Sequence, residues 1–368
     1  MSLEDKYKQA TEIIASGRVS DTLVDIIKLL VKEDQLDLIM HFKEKRSHSI
    51  DQLMAISGLS EAEILEKASA LAKKGLIFNQ PNSKGVMVFR LLPLANVGVY
   101  EYTFMKKLSY TEDEIKLAKL FSKLFAERPR MAPEKMQEII KMMPAPDRTV
   151  PIRFNKATGK PTVIDINENV AEDTANKILL TSDVEALIEK FDEIAVGHCF
   201  CRNFRDTEDK HCKQTNLREN CFTFGKSARF TTDNNFMRMI TKEEARDILN
   251  KSEEDGLVHK AYHPNFDISK EETSVCNCCK DCCGNSARSV VNVASFVSRV
   301  NPELCVGCGT CEIRCHPDAI KVGEDEKALV NEERCIGCGV CAYFCPQNAI
   351  TIYPTEPHTV RVVVQNRD

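Results

Sequence analysis

One cysteine spacing occurs twice near the C-terminus and constrains this chain more than any other feature. Residues 305–317 read CVGCGTCEIRCHP and residues 335–346 read CIGCGVCAYFCP, so both runs follow the spacing C-x2-C-x2-C-x3-C. Three thiols on a tight loop can reach three corners of one metal cluster, and the glycines between them let the backbone bend and direct N–H groups at sulfur. The sequence therefore predicts an internal repeat built around metal-bound thiolates, with the fourth thiol of each run directed elsewhere.

This spacing resembles that of two-cluster bacterial ferredoxins, in which the fourth cysteine of each run ligates the other cluster. The resemblance implies two [4Fe-4S] clusters with crossed ligation. Carried over residue by residue, it assigns one cluster to Cys305, Cys308, Cys311 and Cys345, and the other to Cys335, Cys338, Cys341 and Cys315. Zinc is the alternative, but two four-thiolate zinc sites would not require a third and a fourth cysteine at these spacings in both runs.

Nine of the 17 cysteines lie outside the repeat, in two groups. They are Cys199, Cys201, Cys212 and Cys221, followed by Cys276, Cys278, Cys279, Cys282 and Cys283. This number of thiols in a chain of this size favours metal or redox chemistry over a disulfide framework. We expect one or two further iron-sulfur clusters here, with zinc or metal-free redox thiols as alternatives. The intervening helix-forming stretch ITKEEARDILNKSEEDG is long enough to fold back and bring the two groups together.

Basic side chains lie near the first group of cysteines, Cys199 to Cys221, in the sequence. Four cations could lower the pKa of nearby thiols and offset cluster charge, namely Arg202, Arg205, Lys210 and Lys213. His198 and His211 are candidate ligands or hydrogen-bond donors.

Composition argues against several classes of function. The chain has 368 residues, 50 Lys and Arg against 55 Asp and Glu, and a net charge of -5, so a nucleic-acid or anionic-membrane partner is not expected. No run of 18 apolar residues occurs, and the first residues, MSLEDKYKQATEIIASG, contain no apolar signal region. We therefore expect a cytoplasmic protein without a membrane span.

The first 100 residues contain no cysteine and predict helices followed by a strand pair. Ser60 begins a helix with a capping box, and Gly75 ends it. The order of elements over residues 20–93 resembles the winged-helix domain, a helix-turn-helix variant. The helix that would face DNA carries three glutamates near its start, Glu61, Glu63 and Glu66. Because these would repel phosphates, a docking or structural role is favoured over DNA binding.

The fold class expected for the whole chain is multidomain α+β. Four segments are predicted: a winged-helix-like domain at 1–100, a mixed helical and strand connector at 101–192, a cysteine-rich metal-binding region at 193–296, and a two-[4Fe-4S] ferredoxin domain at 297–368. Within the connector, MMPAPDRTVPIRFN is expected to be a linker or a boundary, PTVIDIN a strand, and SDVEALIEKFDEI a helix.

The order HCFCR, CFTFG, CNCC and then the doubled cysteine motif resembles a group of anaerobe proteins labelled only as 4Fe-4S dicluster ferredoxin-domain proteins, over about residues 145–353. The resemblance implies electron transfer in anaerobic metabolism. We therefore expect an iron-sulfur electron-transfer protein, or the electron-transfer subunit of a larger oxidoreductase complex, with a redox partner protein. Two alternatives are an oxidoreductase with a catalytic iron-sulfur site within residues 199–283 and a redox-sensing winged-helix regulator.

Overall fold

The computed structural model describes residues 2–82, 84–94, 98–127, 147–163, 184–264, 270–283 and 291–361. Within these residues, helices and strands form two compact units. The first comprises Met1–Met131, Asn203–Lys210 and Lys226–Arg238, and the second comprises Ala132–Arg202, His211–Gly225 and Met239–Asp368. Both helix and sheet are present, in agreement with the expected mixed fold. The four segment boundaries stay predictions from the sequence.

The first unit begins with seven helices and a small sheet. The helices are α1 (Leu3–Ile14), α2 (Asp21–Leu30), α3 (Glu33–Met40), α4 (Ile50–Ser57), α5 (Glu61–Ala72), α6 (Val99–Met105) and α7 (Glu112–Ala126). The strands β1 (Ser47–Ser49), β2 (Ile77–Pro81) and β3 (Met87–Leu91) form an antiparallel sheet in the order β1-β3-β2. Ser60 and Thr111 begin α5 and α7 with complete capping boxes, because each side chain accepts the backbone N–H three residues later.

The three glutamates expected on α5 lie exposed in its first two turns. Helices α2 and α3 are separate, because Val31 between them is extended rather than helical. The Gln35 side chain then accepts the Lys32 N–H at 3.0 Å and starts α3. The sequence also predicts that a helix begins near Pro133, a position outside the described residues.

The remaining helices are α8 (Val184–Lys190), α9 (Phe200–Asp206), α10 (Lys226–Asp233), α11 (Lys242–Glu254), α12 (Thr310–Arg314) and α13 (Val340–Tyr343). Of these, α10 belongs to the first unit. Eight further strands of the described residues are β4 (Asp147–Val150), β5 (Ile194–His198), β6 (Glu219–Phe224), β7 (Arg238–Ile240), β8 (Val258–Tyr262), β9 (Ser274–Cys278), β10 (Val291–Val300) and β13 (Ile350–Arg361). They form one eight-stranded sheet in the order β13-β10-β4-β8-β9-β6-β5-β7. A separate antiparallel pair consists of β11 (Ile320–Val322) and β12 (Ala328–Val330).

The segment expected to be a linker contributes instead to the centre of this sheet. Asp147–Val150 forms β4, which lies between β10 and β8 and is paired with both. The linker prediction is wrong for these residues because a strand of four residues leaves little periodic signal between prolines. The strand expected over PTVIDIN falls mostly outside the described residues, and its Val163 forms an isolated bridge to Ile352.

Two features of the sheet bring the two groups of cysteines together. Helix α11 buries Ala245, Ile248 and Leu249 in a core with Phe222 and Phe224 of β6. Strand β6 pairs with β9 so that Cys221 lies opposite Cys276. The helix that separates the groups in sequence therefore packs on the sheet while the strands carry the cysteines to one another. No helix among the described residues has the length and apolar character needed to cross a membrane.

Candidate metal centres

All 17 cysteines lie among the described residues, and none forms a disulfide. Those of the C-terminal repeat follow a shared local plan. In the first run, Cys305 and Cys308 precede α12, Cys311 lies in its first turn, and Cys315 caps its C-terminus. In the second run, Cys335 and Cys338 precede α13 and Cys341 lies within it, but Phe344 caps the helix and Cys345 follows the cap.

One cavity is lined by cysteines from both runs. Cys305, Cys308 and Cys311 of the first run line it together with Cys345 of the second. Backbone N–H groups donate to two of these sulfurs: Ala328 to Cys305 Sγ at 3.4 Å and Ala349 to Cys345 Sγ at 3.2 Å. Hydrogen bonds of this kind stabilise thiolate character and therefore suit metal-bound sulfur.

The other four cysteines of the repeat are Cys315, Cys335, Cys338 and Cys341. Burial raises the pKa of the Cys341 thiol, and the charges of the other three raise it further, so the four sulfurs lie close enough to interact. The Ala319 N–H donates to Cys315 Sγ at 3.1 Å, and the Ser298 N–H donates to Cys335 Sγ at 3.4 Å.

These N–H donors stand at matching positions in the two halves of the repeat, as do two glycines that the loops require. Gly307 and Gly337 have φ angles of +67° and +64°. A Cβ on Gly307 would overlap the Glu326 carbonyl, and a Cβ on Gly337 would overlap the Phe296 carbonyl. Only glycine fits both the left-handed backbone and the close approach of a neighbouring strand.

A backbone segment, Ile152–Asn155, covers the second run, and no segment among the described residues covers the first run in this way. The Ile152 N–H donates to the Cys338 carbonyl at 3.0 Å, and the Asn155 amide donates to the carbonyls of Ala342 and Cys345, each at 2.8 Å. A Cβ on Gly339 would lie 2.7 Å from the Ile152 carbonyl oxygen. At the matching position of the first run, a Cβ on Gly309 would meet nothing within 4 Å.

The covering segment changes the chemistry of matched thiols. Cys308 is exposed, and its hydrogen bond to Thr310 lowers the pKa of its thiol. Cys338, its counterpart, is buried, and burial raises the pKa of its thiol. The two runs therefore share one cysteine spacing but place matched thiols in different electrostatic environments.

The comparisons with known proteins agree with this geometry. Residues 298–352 match the family model of the 4Fe-4S dicluster domain, which spans both cysteine runs. No curated protein and no solved structure matches the chain. The C-terminal segment is thus a 4Fe-4S dicluster domain, and with the clustered cysteines elsewhere it indicates an iron-sulfur protein of the electron-transfer class.

Seven of the nine remaining cysteines line a second cavity. Six of them belong to no other group, and we call it the six-thiol cavity after these: Cys199, Cys201, Cys221, Cys276, Cys278 and Cys283. The seventh is Cys279. Neighbouring sulfurs are in hydrogen-bond contact: bonds from Cys201 and Cys221 lower the pKa of Cys199, and the bond between Cys278 and Cys283 raises the pKa of Cys278. The structure thus draws thiols from three separate segments to one place.

The last three cysteines form a more compact group. One ligand atom each of Cys212, Cys279 and Cys282 lies within 4.8 Å of the other two. These cysteines pack around the buried Leu257. We call this group the cysteine triad.

Arg202 lies between the triad and the six-thiol cavity and is fully buried. Its guanidinium donates to the carbonyls of Leu217 at 2.9 Å and Asn277 at 3.1 Å. Burial lowers its pKa, but the thiolates of Cys199, Cys279 and Cys212 raise it by more, so the net shift is upward. Arg202 therefore remains a cation that offsets thiolate charge. Of the four cations marked in the sequence, it is the one that the described contacts place among the sulfurs.

Buried polar residues lie between the six-thiol cavity and the dicluster domain. His316, which follows Cys315, is buried, and burial lowers its pKa to about 4 despite the charge of Cys283. The Lys260 ammonium donates to the Asp147 carboxylate at 3.0 Å. It also lies close enough to the thiolates of Cys278 and Cys283 to interact with their charges. A neutral imidazole and a buried ion pair thus occupy this region.

Sequence reasoning missed several of these residues. Ser298 and Asn155 contact the dicluster domain from outside its cysteine runs, and Asp147 lies in a segment expected to be a linker. Of these, only Ser298 leaves a trace in the sequence, because aligning the two halves of the repeat places it opposite Ala328.

Proposed function

We propose that this protein relays single electrons through two [4Fe-4S] clusters with crossed ligation. The observation that carries the proposal is the cavity lined by Cys305, Cys308 and Cys311 together with Cys345 from the other run. In two-cluster ferredoxins each cubane takes three thiolates from one run and one from the other. The second cluster then takes Cys335, Cys338, Cys341 and Cys315, which is supported by the packing of Cys315 against Cys335.

Electron exchange with a redox partner protein takes place at the cluster of the first run. Cys308 is exposed, and the apolar side chains beside this run are exposed with it, namely Leu304, Val306, Ile313 and Leu329. Exposed acidic groups accompany them: Glu303, Glu324, Asp325 and Glu326. An apolar patch with an acidic margin fits a partner surface that is apolar at its centre and basic at its rim.

The six-thiol cavity holds at least one further iron-sulfur cluster that extends the relay. Its support is the convergence of six cysteines from three segments, with Cys283 close enough to His316 for its charge to act on the imidazole. Because His316 follows Cys315, this centre would adjoin the buried cluster of the dicluster domain. Electrons then pass from the centre in the six-thiol cavity to the buried cluster, from there to the exposed cluster, and finally to the partner, or in the reverse direction.

The wider setting is also part of this proposal. The protein acts as an electron-transfer protein or subunit in the cytoplasm of an anaerobe, with residues 20–93 serving as a winged-helix-like docking module. The exposed glutamates at the start of α5 support docking to protein over docking to DNA.

The crossed ligation can be tested with a matched pair of variants of the full chain, purified without oxygen. Cys345→Ser should damage the cluster of Cys305, Cys308 and Cys311, whereas Cys315→Ser should damage the other cluster. Electron paramagnetic resonance of the reduced proteins distinguishes them, because the exposed cluster is the one quenched faster by a charged paramagnetic ion in solution. If each substitution instead damages the cluster of its own run, the crossing is wrong.

The size of the relay can be tested by iron and sulfide analysis of the same protein. Two cubanes account for about eight irons per chain, and a cubane in the six-thiol cavity raises the count to about twelve. Cys276→Ser should lower iron without changing the signals of the two C-terminal clusters. An iron content that stays near eight in the wild type would contradict the third centre while leaving the first two intact.

A further inference from the structure

We propose that the cysteine triad binds a single zinc ion rather than an iron-sulfur cube. This inference concerns Cys212, Cys279 and Cys282 alone and does not depend on the proposed electron transfer. Its basis is distance: the three ligand atoms lie within 4.8 Å of one another. Cys279 and Cys282 are buried, and Cys212 is partly buried, so the group is not a chance meeting of surface thiols.

The separation of the sulfurs distinguishes one ion from a cube. Thiolates on a single tetrahedral zinc are joined through two bonds of about 2.3 Å, which sets their separation at about 3.8 Å. Thiolates on the corners of a four-iron cube are separated by an iron–iron edge in addition to two iron–sulfur bonds, so they lie farther apart. A group of three sulfurs within 4.8 Å therefore fits one ion and is too tight for a cube.

The dicluster domain is an internal control for this argument. Its cysteines are assigned to cubes by their spacing and by the family match to residues 298–352. Among the described residues, no three of those cysteines lie within 4.8 Å of one another, whereas the triad does. In the six-thiol cavity neighbouring sulfurs are in contact, but no three of them among the described residues lie within 4.8 Å of one another, so the triad is the tightest group of three.

The surroundings of the triad suit a bound thiolate centre. The Cys282 N–H donates to Cys279 Sγ at 3.1 Å, as backbone groups do to metal-bound sulfur. Arg202 places a buried positive charge beside Cys279 and Cys212, which offsets the excess negative charge that three thiolates leave on one divalent ion. Zinc prefers such soft ligands and accepts a tetrahedral arrangement without redox change.

The fourth zinc ligand is expected to be an oxygen. Asp281 Oδ2 lies 3.6 Å from Cys282 Sγ, and the Lys213 N–H holds it by a hydrogen bond of 2.6 Å. A thiolate and an oxygen on one tetrahedral zinc are separated by about 3.5 Å, from bonds of about 2.3 and 2.0 Å. Cys212 also lines a polar cleft with Lys213 and Asp255, through which water can reach the site. Asp281 does not lie within 4.8 Å of all three sulfurs, so we assign the fourth position to a water that enters through this cleft beside Asp281.

The test is metal analysis of the full chain, prepared without oxygen and with its iron sites loaded. The wild type should hold about one zinc per chain, with zinc absorption-edge spectroscopy showing three sulfurs at about 2.3 Å and one oxygen at about 2.0 Å. Cys279→Ser and Cys282→Ser should each lower zinc at least about tenfold with no change in iron. Cys308→Ser is the control, because it should lower iron and leave zinc unchanged.

Three results would overturn the proposal. They are a wild type without zinc, zinc that persists in both triad variants, and a loss of about four irons on substitution of the triad. If the buried substitutions prevent folding, the partly buried Cys212→Ser and the spectrum of the wild type still decide the question. A failure of electron transfer would be seen in the iron signals and would leave the zinc result unaffected.

Discussion

The two halves of the C-terminal repeat share a cysteine spacing, a pattern of N–H to sulfur bonds and a pair of left-handed glycines, yet they differ in what covers them. Val306 is 60% exposed, while its counterpart Ile336 is 2% exposed. Ile313 is 78% exposed, while its counterpart Tyr343 is 8% exposed. Ile336 and Tyr343 are buried in a core with Ile152, Val258, Ala294 and Val360. The segment Ile152–Asn155 also hydrogen-bonds to the second run and has no equivalent at the first among the described residues.

This comparison shows how one repeated motif can serve two tasks. Ligand spacing determines that a cluster binds, whereas burial and hydrogen bonds set its potential and its access to solvent. In the relay that we propose, the open half exchanges electrons with the partner and the covered half passes them within the protein.

The largest effect is expected where a large side chain is buried in one half and exposed in the other. Tyr343 packs in the core of the covered half, with its ring 4.8 Å from that of Phe344. Tyr343→Ala should lower the free energy of unfolding by about 3 to 5 kcal/mol, and Ile313→Ala should change it by less than about 0.5 kcal/mol. Anaerobic urea denaturation followed by circular dichroism measures both. Equal losses would mean that the two halves do not differ in burial.

The second comparison uses Gly309 and Gly339, the glycines directly before α12 and α13. Both have positive φ angles, so alanine costs about 1 kcal/mol at either position through backbone strain. At Gly339 the new Cβ would also press on the Ile152 carbonyl, so Gly339→Ala should cost about 2 to 3 kcal/mol in total. The difference between the two variants, measured by thermal loss of the cluster absorbance, should disappear if Ile152 does not cover the second run.

The third prediction removes hydrogen bonds of the covering segment and leaves the motif unchanged. Asn155→Ala deletes the amide that donates to Ala342 and Cys345, which leaves two carbonyls without that donor. We expect a loss of about 2 kcal/mol in stability and faster bleaching of cluster absorbance by ferricyanide. Both clusters should be affected, because Ala342 follows the covered-cluster ligand Cys341 and Cys345 is assigned to the exposed cluster. Lys160→Ala on the exposed surface nearby is the control and should change neither quantity.

The smallest effect concerns a polar side chain that contacts sulfur in the covered half and has an apolar counterpart in the open half. Ser298 Oγ lies 3.2 Å from Cys341 Sγ, and Ala328 stands at the matching position. Because a hydrogen bond stabilises the more negative, reduced cluster, Ser298→Ala should lower the potential of the covered cluster by about 40 mV, the equivalent of about 1 kcal/mol for one electron. Ala328→Ser should raise the potential of the other cluster. Redox titration followed by electron paramagnetic resonance measures both shifts.

Several local features were predictable from the sequence because their causes lie within a few residues. The capping boxes at Ser60 and Thr111 need only a hydroxyl and a carboxylate three residues apart. The cysteine runs likewise contain three of their four ligands and the glycines that bend the loop. Other local predictions failed where contacts with distant segments determine the backbone conformation. Strand β4 is an example, because its four residues pair with strands that are distant in sequence.

The sequence by itself determined that this chain binds iron-sulfur clusters at its C-terminus, since the spacing of the thiols and glycines is sufficient for that chemistry. Only the tertiary structure decided which half is covered, because Ile152–Asn155 reaches it across a sheet. Only the tertiary structure divided the other nine cysteines into a six-thiol cavity and a compact triad. The physical reason is that sulfur-to-sulfur distances depend on strand pairing, as between Cys221 and Cys276, and pairing between remote strands is not encoded in local spacing.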